Sequence, residues 1–224
     1  MSASLVGSEM CIRDRHYVLD LWFEKCIKKQ LYGEAYLVRF ADDFLIMFQY
    51  ERDAQRVYEA VIKRMELFGL ELSKEKTRIL PFGRNCGTRE TFDFLGFTHF
   101  NSKTRKGYYS VGHKISRKKK KQFKSNLKKW VKENRDKQFD EFMKKLNKKL
   151  TGSFNYYSLS GMIREVRSLW IHSLYVTFKW MNRRSQRRSF KLERFYEIWH
   201  ERIIHPYIHV DIWSGDKVIY NKKV

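Results

Sequence analysis

Ala35-Tyr36-Leu37-Val38-Arg39-Phe40-Ala41-Asp42-Asp43-Phe44-Leu45-Ile46-Met47-Phe48 decides how the first half of this chain folds. Two runs rich in aromatic and β-branched residues flank a short Ala-Asp-Asp corner, the pattern of a β-hairpin with two carboxylates at its tip. Adjacent acidic groups repel, so a folded chain gains nothing by placing them together without a counter-charge. A divalent cation supplies that charge, and carboxylate oxygens suit Mg²⁺. An Asp-rich turn with no metal would show the same residues, because Asp is a common turn former. The sequence around the corner has to decide between the two.

Working outward, composition bounds the answer. The chain has 224 residues, 42% of them hydrophobic and 16% aromatic, enough for one large domain or two small ones with real cores. Its formal net charge of +22 implies a polyanionic partner, either nucleic acid or an anionic membrane surface. No apolar run approaches the roughly 20 residues needed to span a bilayer, so nucleic acid is expected and membrane is not. Cys11, Cys26 and Cys86 are scattered and odd in number, which indicates neither a disulfide framework nor a zinc site and fits a reduced, intracellular setting. Met1 to Arg15 shows neither a helical nor an alternating apolar period and lacks the layout of a signal peptide. It resembles an adaptor-derived translation and is expected to take no part in the fold.

From His16 the pattern changes. Tyr17, Leu19, Trp22 and Phe23 begin a helix that leads through Gly33 into the hairpin. After the hairpin, Ala54, Val57, Tyr58, Val61, Ile62, Met65 and Phe68 recur at spacings of three and four, which predicts a helix from about Arg52 to Phe68 with Gly69 as its stop. Gly69-Leu70-Glu71-Leu72 then leads to Lys76-Thr77, and Phe92-Asp93-Phe94-Leu95-Gly96-Phe97 reads as a short strand pair with glycine at its bend.

In this order, Phe40-Ala41-Asp42-Asp43, the Gly-Leu-x-Leu…Lys-Thr element and Phe94-Leu95-Gly96 resemble the palm of a polymerase. The closest resemblance is to the reverse transcriptase/maturase encoded by group II introns, whose usual corner carries Tyr where this chain has Phe40. The resemblance implies two-metal Mg²⁺ chemistry, with Asp42 the stronger and Asp43 the weaker candidate ligand. It implies a primer grip at Phe94, Leu95 and Gly96. It also implies a general-acid role for Lys76 near the incoming nucleotide, against which stands an ordinary surface lysine. Members of the family bridge the metals with a further carboxylate from an earlier strand. Only the first fifteen residues and one helix precede the hairpin here, and Asp14 and Asp20 stand in other contexts. The chain is therefore expected to be the C-terminal part of a longer polymerase, without fingers and inactive in catalysis alone.

The second half is basic and helical. From Lys114 to Lys149 there are sixteen Lys/Arg against four Asp/Glu, which places +12 of the net charge in this segment. Arg117-Lys118-Lys119-Lys120-Lys121 opens a helix capped by Ser116, with Phe123, Leu127 and Trp130 at helical spacing. A solvated charged face is the ordinary meaning of such a run, but this excess points to phosphate binding by counterion release. A second helix carries Phe139, Phe142, Met143, Leu146 and Leu150, and Leu150 to Tyr157 is expected to close it. Ser160 is expected to cap a third helix, about Met162 to Trp180. Leu150-Thr151-Gly152-Ser153-Phe154-Asn155-Tyr156-Tyr157 resembles the hallmark of the maturase, or thumb, domain, as does the string from Trp180 to Arg188. Tyr156 and Tyr157 can either stack on bases or pack between helices. Arg183, Arg184, Arg187 and Arg188 carry guanidinium forks that match phosphate oxygens. His200, His205 and His209 lack a completing ligand set for a metal.

The expected architecture is α+β. Residues 1–15 are foreign, 16–110 form a partial palm of antiparallel strands with helices, 111–200 form an all-α thumb/maturase domain, and 201–224 are a tail. The resemblance implies an RNA-directed DNA polymerase and RNA-splicing maturase of a retroelement. Its partners would be group II intron RNA, an RNA/DNA primer-template and deoxynucleoside triphosphates, in a cytoplasmic setting. The alternative is an RNA-binding splicing cofactor without polymerase activity.

Overall fold

The computed structural model describes residues 2–6, 16–73, 75–87, 89–184, 189–208 and 210–211, with only the backbone of 2–6 and 71. The fold is α+β and divides into two compact units, Met1–Leu95 with His99–Gly112, and Gly96–Thr98 with His113–Val224.

In the first unit, strands β1 (Ser2–Val6), β2 (Ala35–Phe40), β3 (Asp43–Phe48) and β4 (Glu71–Leu72) form a sheet in the order β2-β3-β1-β4. β2 and β3 pair in antiparallel register from Ala35↔Phe48 to Phe40↔Asp43. Because side chains alternate along a strand, this register sorts the hairpin into two faces. Ala35, Phe44 and Ile46 are buried on one face. They meet Val18, Leu19, Phe23 and Ile27 from the π-helical stretches His16–Leu21 and Phe23–Ile27, and Val57, Val61 and Met65 from helix α1 (Glu51–Leu67). Each fully buried side chain of this kind contributes about 1.5–3 kcal/mol. The other face leaves Tyr36, Val38, Phe40 and Met47 exposed, with Asp43 at its end.

Two local devices place this hairpin. Asp53, buried in the first turn of α1, accepts the backbone N–H groups of Tyr32 (3.0 Å) and Gly33 (3.1 Å), which ties the loop entering β2 to the helix leaving β3. At the far end of α1 the N–H of Gly69 donates to the Glu66 carbonyl, and that of Leu70 to the Met65 carbonyl at 2.9 Å. That paired arrangement is a Schellman motif, and it needs the left-handed Gly69 (φ 66). Leu70 then drops into the same core as Met65.

The first residues depart from expectation. Ser2–Val6 is a strand, pairing with β3 (Ser4↔Asp43) and with β4 (Val6↔Glu71). A sheet edge offers unpaired N–H and C=O groups, and backbone pairing asks little of side-chain sequence, so an apolar period was not required for this segment to join.

A second sheet has the order β5-β6-β7, with β5 Thr91–Phe94, β6 Phe97–Lys103 and β7 Tyr109–Ile115; the division between the units falls within β6 and β7. The second unit carries four helices among the described residues, α2 (Arg117–Asn134), α3 (Phe139–Tyr157), α4 (Ile163–Met181) and α5 (Leu192–Arg202). Leu127 and Val131 of α2 are buried, as are Phe142, Leu146, Leu150 and Phe154 of α3, Val166, Leu169 and Leu174 of α4, and Phe195 and Trp199 of α5. Ser116 caps α2 by accepting the Lys119 N–H.

α3 ends at Tyr157, within the Leu150–Tyr157 stretch expected to close it, and Phe154 carries its buried stripe to that end. Two expectations are corrected here. Met162 is the N-cap of α4, while the Ser160 hydroxyl donates to Asp211 Oδ1 at 2.7 Å. Beyond the three expected helices lies α5, whose signal was the pair Phe195 and Trp199 at i, i+4. Among the described residues no helix is long and apolar enough to cross a membrane.

Replacing Gly69 by Ala should destabilise the chain by about 1 kcal/mol, because a Cβ is disfavoured at positive φ even though no atom lies within 4 Å of it. Urea denaturation measures this; an unchanged midpoint would show that α1 does not depend on its Schellman end.

Candidate metal corner and nucleic-acid interface

Ala41 and Asp42 make the two-residue loop between β2 and β3, closed by the Phe40↔Asp43 pair. Ala41 takes φ 52, a region that a non-glycine residue enters at a cost. The neighbour that stabilises this corner is Arg39. Its Nε and Nη2 donate to the two carboxylate oxygens of Asp20 at 2.7 and 2.6 Å, and its Nη1 donates to the Ala41 carbonyl at 3.2 Å. The fork geometry of guanidinium suits this three-way hold. Hydrogen bonding to Asp20 raises the Arg39 guanidinium above its ordinary value against the opposing effect of burial, and the charges of Asp20 and Asp42 add to the rise. Burial pushes the Asp20 carboxyl up, but hydrogen bonds from Arg39 and His16, with the charges of both, outweigh it and hold the group below its usual range. His16 Nδ1 lies 3.1 Å from Asp20 Oδ2.

Sequence reasoning missed Arg39 and set Asp20 aside. The available signal was parity: Arg39 is the one charged residue on the core-facing positions 35, 37 and 39 of β2. Asp42 and Asp43 are both exposed at the tip. Among the described residues, no group of three His, Cys, Asp or Glu side chains gathers as a possible metal site. The corner therefore offers two adjacent carboxylates, hard oxygen donors that fit Mg²⁺ as part of a ligand set.

Lys76 is exposed, in a turn held by Thr77, whose hydroxyl donates to the Ser73 carbonyl at 2.8 Å. Phe94 ends β5, and Leu95 (φ 51) with Gly96 (φ 81) forms the two-residue bend to β6. Positive φ at both positions is the pattern of a type I′ hairpin turn. In the second unit the Gly96 carbonyl accepts the Ser116 N–H at 3.0 Å. A Cβ on Gly96 would stand 3.5 Å from Lys119 Cγ and 3.8 Å from Tyr157 Oη.

Tyr156 and Tyr157, expected either to stack on bases or to pack between helices, meet a strand residue, Phe97 of β6. Tyr156 stacks on Phe97 at 5.6 Å between ring centres, and Tyr157 meets Phe97 edge-on at 5.6 Å. Burial raises the Tyr157 hydroxyl above its ordinary value. Tyr156 nonetheless remains 52% exposed.

The basic run divides by role. Arg117, Lys118, Lys119 and Lys121 are exposed, whereas Lys120 forms an ion pair with Glu165 of α4. Arg183 lies over the Trp180 ring at 5.4 Å, which Arg135 and Lys132 approach at 5.5 and 5.9 Å. Arg184 is exposed, with Nη1 3.8 Å from Met181 Sδ; Arg187 and Arg188 lie outside the described residues. His200 and His205 pack as rings, 4.6 Å apart, beside Trp170, while His209 lies outside the described residues.

Comparison with known families assigns each unit separately. Residues 16–99 match the family model described as reverse transcriptase (RNA-dependent DNA polymerase). Residues 120–197 match the group II intron, maturase-specific domain. No curated protein matches the chain.

The depressed Asp20 carboxyl sets a pH dependence. Its contribution to stability is present above its unfolded value, near 3.9, and is lost as pH falls through the lower folded value. Urea midpoints followed from pH 5 downward should therefore fall less steeply in Asp20→Asn than in the wild type. Equal slopes would remove the Arg39–Asp20 pair from the account of the corner.

Proposed function

This chain belongs to the group II intron-encoded reverse transcriptase/maturase family, and from that premise we propose specific roles for its corner, its bend and its helices. Reverse transcriptases as a family use a divalent metal; here Asp42 and Asp43 would hold Mg²⁺. The observation that carries this proposal is the carboxylate pair at the tip of a hairpin whose outward face, Tyr36, Val38, Phe40 and Met47, is open.

The reaction joins a primer 3′-oxygen to the α-phosphorus of a deoxynucleoside triphosphate, breaks the bond to the bridging oxygen, and releases pyrophosphate and the hydroxyl proton. Bound Mg²⁺ supplies activation of the hydroxyl and neutralises charge on the leaving group. The part of this chain's own residues is positional. Arg39 fixes the corner carbonyl, so both carboxylates project from a backbone that does not wander. The Leu95-Gly96 bend presents a backbone without a side chain at Gly96, which suits contact with a primer end. Lys76 is the candidate proton donor to pyrophosphate. Arg117, Lys118, Lys119, Lys121, Arg183 and Arg184 would neutralise phosphates of the intron RNA or of a primer-template, and Arg187 and Arg188 belong to the same proposal.

Mn²⁺ titration followed by electron paramagnetic resonance tests the corner. Asp42→Ala should lose most of the bound Mn²⁺ while binding of an RNA probe stays within about twofold, since the RNA contacts are assigned elsewhere. Primer extension on an RNA template with Mg²⁺ is measured on the same pair of proteins. Mn²⁺ binding or extension that survives Asp42→Ala would overturn the metal assignment.

A further inference from the structure

Strand β2 has a partner on one side only: in the sheet order β2-β3-β1-β4 it stands at the edge. The Gln49 N–H donates to the Glu34 carbonyl at 3.0 Å, so the even-numbered residues of β2 turn their backbone groups toward β3. Alternation then turns the N–H and C=O groups of Ala35, Leu37 and Arg39 outward, away from the sheet. Proteins blunt such edges with lysine, proline or a bulge. β2 reads Ala-Tyr-Leu-Val-Arg-Phe, without lysine or proline, and its register against β3 is unbroken from Ala35 to Phe40. Its one charge, Arg39, is drawn to Asp20 on the covered face. The edge is left unguarded.

Such an edge accepts another strand, and three observations select a second copy of the same strand. Tyr36, Val38 and Phe40, which flank the edge on the open face, are apolar and exposed, so a fitting partner brings an apolar face of the same period. β2 itself does so. Residues 1–95 balance fifteen Lys/Arg against fifteen Asp/Glu, so the net +22 lies wholly beyond them and two such segments meet without net repulsion. The opposite edge of the sheet is β4, only Glu71–Leu72, too short to carry the sheet onward. Pairing through β2 therefore closes as a two-fold dimer instead of growing into a filament.

We propose that two copies of this chain associate edge to edge through β2, antiparallel about a two-fold axis at Leu37. That register sets Leu37 opposite its counterpart and Ala35 opposite Arg39 of the other copy, for roughly six new backbone hydrogen bonds. Covered face then continues covered face, and open face continues open face. Tyr36 lies opposite Val38 of the other copy, twice by symmetry, an aromatic–β-branched pair of the kind that stabilises sheets. A slip of one residue would join an open face to a covered one. A slip of two toward the corner would set Glu34 opposite Asp42, one carboxylate against another. The inference stands independently of the metal and RNA assignments.

Sedimentation velocity of the full chain in high salt, which screens the basic second units, reads the association directly. Monomer should give way to dimer between about 1 and 100 µM, the weak end of protein association, because the contact is small. Hydrogen exchange at two concentrations locates the joint. The amides of Ala35, Leu37 and Arg39 should slow about tenfold where dimer prevails, while those of Tyr36, Val38 and Phe40 stay protected throughout. Val38→Glu and Tyr36→Lys should each weaken the dimer about tenfold, and an equimolar mixture of the two should restore it through opposite charges across the joint. A chain that stays monomeric over the whole range would sink the proposal. A dimer whose Ala35, Leu37 and Arg39 amides exchange at the monomer rate has its interface elsewhere and sinks it too. Recovery in a mixture of Val38→Glu with Val38→Lys, but not with Tyr36→Lys, would overturn the register about Leu37. If either variant fails to fold, the concentration dependence of exchange in the wild type decides alone.

Discussion

The ladder between Ala35–Phe40 and Asp43–Phe48 admits one register, because side chains alternate and only one face of the hairpin is covered. A slip by one residue would turn Phe44 and Ile46 out of the core and bring Leu45 and Met47 into it. The same register brings Asp43 to the open face, level with Phe40, and leaves Ala41 and Asp42 as the whole loop. The apolar core of the first unit thus sets the position of its carboxylates. Asp53 and the Gly69 stop act on the same constraint from outside, by fixing where the hairpin begins and where the covering helix ends.

Among the described residues two turns carry non-glycine residues at positive φ, Ala41 and Leu95, and both lie in segments proposed to meet metal or primer. Such backbone persists only where neighbours over-determine it. At Ala41 the over-determining contact is the Arg39 guanidinium, itself anchored by both oxygens of Asp20. At the second turn, Gly96 takes φ 81 and its carbonyl accepts the N–H of Ser116, the cap of α2, so one hydrogen bond ties the bend to the start of that helix. Each arrangement converts a tertiary contact into backbone precision.

The second unit resolves a conflict between charge and compactness. Its lysines and arginines would repel one another if they were spread at random. Buried stripes on α2, α3, α4 and α5 instead gather the apolar residues inward and confine the charge to outer faces, where water and salt screen it. A few cations are drawn into structure: Lys120 by Glu165, and Arg183, Arg135 and Lys132 around Trp180. Others pair with carboxylates on the surface, Lys145 with Glu141, Arg194 with Glu197 and Arg202 with Asp140. Basic surface and helical fold therefore follow from one pattern.

Much of this was legible in the sequence, and the reason is locality. The Ala-Asp-Asp corner, the helix stopped by Gly69, the Leu-Gly bend and the capped basic helix each depend on residues within a few positions of one another, and periods of 2 and 3.6 declare them. The existence of α5 was harder, because a short apolar pair is a weak local signal until packing covers it. What only the tertiary structure decided are pairings across long stretches of chain: Arg39 with Asp20, Lys120 with Glu165, Tyr156 and Tyr157 with Phe97, and Ser2–Val6 beside Asp43–Leu45. The sequence determined the elements and the chemistry each one carries. Which of those groups face one another was decided by the burial of apolar faces, which no single stretch of residues contains.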